Sequence, residues 1–173
     1  MNLTTPKIMY TFRDALIADL PRITEIYNST IASRLVTADT ELVTVESKKP
    51  WFDNHNSATR PIWMLENEQQ EIVGWVSFQS FYGRPAYQGT AEISIYLDPN
   101  YRSQGLGKYI LQHCIAEAPK MGIKTLLGFI FAHNTPSINL FKKFQFEEWA
   151  LLPNIANLDG IERSLSIMGL RVG

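Results

Sequence analysis

The chain has 173 residues, sixteen Lys and Arg against seventeen Asp and Glu, a formal charge of −1 and a 45% hydrophobic content. That length and composition suit one domain, residues 1–173, with a full core. No basic run could follow a nucleic-acid backbone, and no apolar run nears the roughly 18 residues of a membrane span, so neither partner is expected.

Met1-Asn-Leu-Thr-Thr-Pro-Lys7 reads as no secretory leader, and the single Cys114 cannot form an internal disulfide, so a cytoplasmic protein is expected. His55, His113 and His133 lie far apart without paired ligand spacing, so no metal site is expected.

In chain order, Met9 to Arg13 reads as a first strand. Asp19 stands as N-cap of a helix with Pro21 in its first turn and Leu20, Ile23, Tyr27 and Ile31 on the core side. Ala32 to Arg60 has a weak pattern; Thr44 caps a short, lid-like helix carrying Val45, Trp51 and Phe52, which Pro50 would kink or restart. Ile62 to Glu66 and Ile72 to Phe81 form an antiparallel hairpin across Asn67-Glu-Gln-Gln70. Tyr82 to Gly89 is a loop rich in Gly and Pro, the kind of segment that carries substrate contacts on a rigid sheet.

The organising stretch runs from Ala91 to Lys108. Ile93, Ile95 and Leu97 alternate with Glu92, Ser94 and Tyr96, Asp98-Pro99-Asn100 ends the strand, and an apolar stripe of Leu106, Tyr109, Ile110, Cys114 and Ile115 follows until Gly122. Glycines before a helix start expose unpaired N–H groups to an anion. Neither the P-loop spacing nor the dinucleotide fingerprint is met, since Tyr101 and Ile110 stand where glycines are needed. What fits is Arg102-Ser103-Gln104-Gly105-Leu106-Gly107, followed by Lys108. Further on, Thr125 to Phe131 is a buried strand, Pro136 to Phe144 a short helix, and Phe146 to Leu152 and Arg163 to Leu170 are strands. The order predicts a mixed α/β fold with helices on both faces of the sheet.

On Arg102 to Gly107, and on Asn134-Thr-Pro-Ser137-Ile-Asn-Leu140-Phe141-Lys-Lys-Phe144-Gln-Phe146, the chain resembles the GCN5-related N-acetyltransferases (GNAT). Arg84-Pro85-Ala86-Tyr87, Thr90 to Leu97 and the tail Leu152 to Gly160 are similar to the phosphinothricin and methionine-sulfoximine N-acetyltransferase branch. The resemblance implies a central, mostly antiparallel sheet, acetyl-CoA as co-substrate and a homodimer. It also implies that the backbone of Ile95, Tyr96 and Leu97 pairs with pantetheine, that Arg102 to Lys108 surround the pyrophosphate, and that Asn134 and Ser137 touch the cofactor further along. Arg84, Pro85, Ala86 and Glu92 would border the acceptor.

The chemistry agrees with that implication. Lysine-like amines have a pKa of about 10.4, and only the free base attacks a thioester. Glu92 is the carboxylate on the organising strand able to act as that base, directly or through water; its alternative is a structural ion pair with Arg84. The planar fork of Arg84 suits an acceptor carboxylate or phosphinate. A backbone N–H near Leu97 would polarise the thioester carbonyl. Two departures stand out: Ser103 where many relatives have Gly, and Phe141 where many have a Tyr thought to protonate the leaving thiolate. Without that Tyr, another group or water protonates the sulfur, or it leaves as thiolate at a pKa of about 8.5. Two other readings remain at this point: an acetyltransferase of polyamines or protein N-termini, and a non-catalytic coenzyme A sensor.

Overall fold

Period-two alternation and β-branched content produce seven strands in the computed structural model, which describes residues 9–173. They are β1 (Thr11–Asp14), β2 (Ile62–Glu66), β3 (Ile72–Ser80), β4 (Thr90–Leu97), β5 (Thr125–Phe131), β6 (Glu147–Leu158) and β7 (Ile161–Arg171), in the sheet order β1-β2-β3-β4-β5-β7-β6. Neighbours are antiparallel except β4 and β5, which run parallel. The helices are α1 (Leu20–Ile31), α2 (Val45–Asp53), α3 (Leu106–Glu117) and α4 (Thr135–Lys143). The sheet is thus mixed and mostly antiparallel, as expected. Met1 to Lys7, read above as no leader, lie outside the described residues.

The two faces of β3 and β4 bury different helices. Val76, Phe78, Ala91 and Ile93 pack with Leu106, Ile110, Leu111 and Cys114 of α3 and with Phe141 of α4. Trp75, on the other face, packs with Ile23, Ile26, Tyr27 and Ile31 of α1, and Trp51 and Phe52 of α2 close over it. Alternation therefore sends Glu92, Ser94 and Tyr96 toward α1 and α2, while Ile93, Ile95 and Leu97 face α3. Among the described residues, no helix is long and apolar enough to cross a membrane.

Several local expectations need correction. Asp19 does not cap α1 with its side chain. Its carboxylate takes two bonds from the Arg13 guanidinium, at 2.7 and 2.9 Å, and one from the Leu16 N–H at 2.7 Å, so it closes the preceding short turn instead. A charge-assisted fork outcompetes a lone cap. Helix α2 runs through Pro50 rather than restarting there; Thr44 does cap it, accepting from Ser47 N at 3.1 Å. On α3 the buried stripe uses Leu111, not Tyr109, which is exposed and donates to the Tyr10 carbonyl at 2.9 Å. The first strand starts at Thr11 rather than Met9.

The largest difference is the C-terminal hairpin. Strand β6 continues through Pro153 to Leu158, and β7 begins at Ile161. The register shifts between Leu152 and Ala156, which absorbs Pro153 and the left-handed Asn154 (φ 54°). An edge strand needs no ladder donor on its outer side, so proline is tolerated there.

Candidate active site

The parallel pair β4–β5 lasts for three registered positions, Thr90 with Thr125, Ala91 with Leu126 and Glu92 with Leu127, and then the strands part. Strand β4 stays paired with β3 as far as Leu97 opposite Gly74. The Asp98 N–H donates to Val73 at 2.9 Å, toward β3, so by alternation the main-chain groups of Ile93, Ile95 and Leu97 point the other way, into the opening. An unpaired strand edge inside a sheet is a template for an extended ligand carrying amides.

At the end of that edge stands the glycine loop. Ser103 (φ 61°) and Gly105 (φ 80°) both adopt the left-handed region, and Gly105 is the N-cap of α3. The first i to i−4 bond of the helix is Tyr109 N–H to Gly105 O, 3.1 Å. The N–H groups of Ser103, Gln104, Gly105, Leu106, Gly107 and Lys108 have no acceptor among the described residues. With the positive end of the helix dipole behind them, they form an anion cradle. Ser103 therefore holds the strained conformation that glycine adopts freely. The Arg102 guanidinium braces the site from below: Nε donates to the Leu97 carbonyl at 3.2 Å and Nη2 to Ser29 Oγ at 3.0 Å. Gln104 Nε2 donates to Asn100 O at 3.1 Å.

Across the opening, Asn134 is buried and its side chain is committed to the fold. Its oxygen accepts from the Ser137 N–H at 3.3 Å, capping α4, and its nitrogen donates to the Leu35 carbonyl at 3.2 Å. Phe141 lies under β5, where a Cβ on Gly128 would stand 2.5 Å from its ring. The Phe141 ring also packs edge-on against Phe146, with centroids 4.8 Å apart. A phenylalanine there is a packing residue and offers no proton.

Glu92 is half-buried, with neither a hydrogen bond nor an ion pair among the described residues, so the structural pair with Arg84 is not formed. Burial alone pushes its carboxyl up from the ordinary carboxylate value. Beyond it on the same face, Tyr96 stacks on Trp75 at 4.5 Å and meets Tyr27 at 5.1 Å. The Tyr27 hydroxyl bonds Thr37 and Asp39, and burial with the nearby Asp39 charge pushes it up to about 12. Burial also raises Tyr96, so both phenols stay protonated at neutral pH.

Arg84 is exposed and opens the short turn Pro85–Tyr87, with Ala86 at its centre. It lines a cavity that Glu92 does not line.

Sequence reasoning also missed the strap formed by residues 32–37. Arg34 pairs with Asp159 at 2.7 Å, its carbonyl accepts from His133 Nε2 at 3.0 Å, and Leu35 is held by Asn134. The expected lid is thus a tied strap followed by α2. Its partners lie about a hundred residues away in sequence and have no local signature.

The splayed parallel pair beside a glycine-rich helix entry suits an acyl-CoA-dependent acyltransferase, and the chain matches the acetyltransferase (GNAT) family over residues 23–146. It belongs to that family and is an N-acetyltransferase. It is 50% identical over 159 residues, 92% of this chain and 97% of the other, to YwnH of Bacillus subtilis, provisionally named a phosphinothricin acetyltransferase. It is 28% identical over 162 residues, 94% of each chain, to the L-methionine sulfoximine/L-methionine sulfone acetyltransferase of Pseudomonas aeruginosa. A crystal structure of a phosphinothricin acetyltransferase from Sinorhizobium meliloti in complex with acetyl-CoA matches with a TM-score of 0.88 at 26% identity, covering 95% of this chain and 89% of that one.

Proposed function

We propose that the protein transfers the acetyl group of acetyl-CoA to the α-amine of a small amino-acid-like acceptor of the phosphinothricin, methionine sulfoximine or methionine sulfone type. The observation that carries the reading is the open β4 edge leading from an unpaired, half-buried Glu92 to an N–H cradle at α3. The named activities of the relatives supply the acceptor class.

Acetyl-CoA supplies the activated acyl carbonyl. The open-edge groups of Ile95 and Leu97, with Tyr96 between them, align its amide-bearing arm, and the N–H groups of Ser103 to Lys108 hold its pyrophosphate. Arg102 occupies the Leu97 carbonyl, leaving the Leu97 N–H on the open edge to donate to the acyl oxygen. Asn134 and Ser137 position the far wall through the cap of α4. Glu92, poised by burial, takes the proton from the acceptor ammonium, directly or through one water. Arg84, exposed and without an ion pair among the described residues, grips the acceptor's acid group, with Pro85 and Ala86 stiffening its loop. Water completes proton delivery to the thiolate, since Phe141 cannot.

The enzyme works in the cytoplasm as a homodimer; support comes from Trp149, Leu151, Leu152 and Ile155, all exposed along edge strand β6. Sedimentation velocity of the wild type and of Leu151→Glu tests the dimer.

The test of function is thiol release from acetyl-CoA with phosphinothricin, methionine sulfoximine, methionine sulfone and spermidine offered separately. Turnover with the amino-acid analogues and none with spermidine is expected. Turnover with spermidine alone would overturn the acceptor assignment. Arg84→Gln should raise the acceptor KM about tenfold and leave the acetyl-CoA KM unchanged.

A further inference from the structure

A cavity of about 760 Å³ lies where β4 and β5 begin, at the opposite end of β4 from the glycine loop. Arg60, Arg84, Lys124 and Arg171 line it, and among the described residues no Asp or Glu does. In a chain of almost balanced charge, four cations around one cavity without a carboxylate is an uncompensated field.

Arg60 shows this most clearly. It is 8% exposed, and all of its hydrogen bonds end on neutral oxygens: Ser80 Oγ at 2.9 Å, Thr59 O at 2.7 Å, Gln88 O at 2.7 Å and Thr90 O at 3.4 Å. Three of the other partly buried arginines do otherwise. Arg13 pairs with Asp19 and Glu66, Arg22 with Asp98, and Arg34 with Asp159. Desolvation without a counter-ion accordingly pushes the Arg60 guanidinium down from its ordinary value. Fixed by backbone carbonyls, Arg60 supplies charge from the wall, while Lys124 and Arg171 offer free donors at the mouth. Arg171 spends one N–H on Thr125 Oγ1 at 2.8 Å, and Lys124 has no ion pair among the described residues.

We infer that this cavity is a binding site for a small multivalent oxyanion of metabolite size, a polycarboxylate or a phosphorylated compound, separate from the acetyl-transfer site. The volume falls in the usual range of roughly 300–1,000 Å³ for small-molecule sites and far exceeds one phosphate group. Separation rests on position: the cavity lies at the opposite end of β4 from the glycine loop, and neither Glu92 nor any residue of that loop lines it. Arg84 and Ala86 stand in both readings, so the test uses Lys124 and Arg171, which no step of acetyl transfer employs.

Citrate and inorganic phosphate are titrated separately, by calorimetry at low ionic strength, into protein saturated with coenzyme A, so that the N–H cradle is filled. Saturable binding of either is expected, weakened at least about tenfold in Lys124→Gln/Arg171→Gln, with coenzyme A affinity and near-ultraviolet dichroism unchanged. Tighter citrate binding assigns a polycarboxylate, and tighter phosphate binding a phosphorylated ligand. No heat with either anion up to about 10 mM, or equal affinity in the double variant, overturns the site. Anion binding seen only without coenzyme A and untouched by the double variant also overturns it, placing the anion at the glycine loop and leaving the proposed function standing.

Discussion

Glu92→Gln should lower turnover while making the protein more stable. The carboxylate has no partner to orphan among the described residues, and glutamine keeps its shape, so the exchange removes a base and a buried charge and little else. General bases contribute about 10²–10⁴-fold. Glu92 is only half-buried and water can relay to it, so the lower end applies: about a hundredfold in kcat, or about 2.7 kcal/mol. Wild-type kcat/KM should rise as pH climbs through the raised Glu92 pKa, and the variant should lose that limb.

Stability moves oppositely. Burial raises the folded pKa above the unfolded one, so the proton-linked stability is present below the unfolded pKa and lost as pH rises through the folded pKa. Glutamine carries no such loss. The variant should melt higher than wild type near about pH 8, and the gap should close toward about pH 4. Thiol-release kinetics with acetyl-CoA and acceptor varied separately, plus melting curves across pH, read both effects. Unchanged turnover at every pH would remove Glu92 from the chemistry, and a melting gap independent of pH would refute the burial argument.

Gly105→Ala tests the cradle: its Cβ meets nothing within 4 Å, but φ of 80° is strained for alanine, so about 1 kcal/mol, roughly 3 °C in Tm, should be lost together with acetyl-CoA affinity. A neutral result on both would mean the loop relaxes without consequence. Gly128→Ala places a methyl 2.5 Å from the Phe141 ring and should cost about 1–3 kcal/mol in denaturant melts, with Phe141→Leu restoring part of it. Failure of that rescue would locate the strain elsewhere. Arg13→Met strands buried Asp19; the loss near neutral pH should be about 2 kcal/mol, less than the about 3–5 of a fully buried pair because the Arg13 side chain keeps 35% exposure. Arg13 holds the Asp19 carboxyl below its usual range, so the wild type gives up this advantage as pH falls through the folded Asp19 pKa, and the two melting curves should converge in acid.

The parts legible in the sequence are those whose cause is local. Asp98-Pro99, Gly105 and the stripe of Leu106, Ile110 and Cys114 specify strand, turn and helix within a few residues of one another, and they carry the loop and the open edge with them. Asp19 misled because a cap pattern is local, whereas Arg13, lying on the preceding strand, claimed the carboxylate. Pro153 misled because nothing within its neighbourhood says that β6 is an edge strand. The strap and the cationic cavity were invisible for a stronger reason. Arg34 meets Asp159 across 125 positions, and Arg60, Lys124 and Arg171 converge through three different elements.

The short parallel pairing of β4 and β5 makes the sheet two blocks joined at a seam. Strands β1 to β4 form one block and β5 to β7 the other, with three registered positions between them. A ligand lying in that seam acts as a stitch, and the protein's resistance to opening becomes a function of co-substrate supply. At a hundred times its Kd such a ligand adds about 2.7 kcal/mol to the stability of the folded state. If acetyl-CoA lies in the seam as proposed, its loss removes that increment and leaves the fold looser.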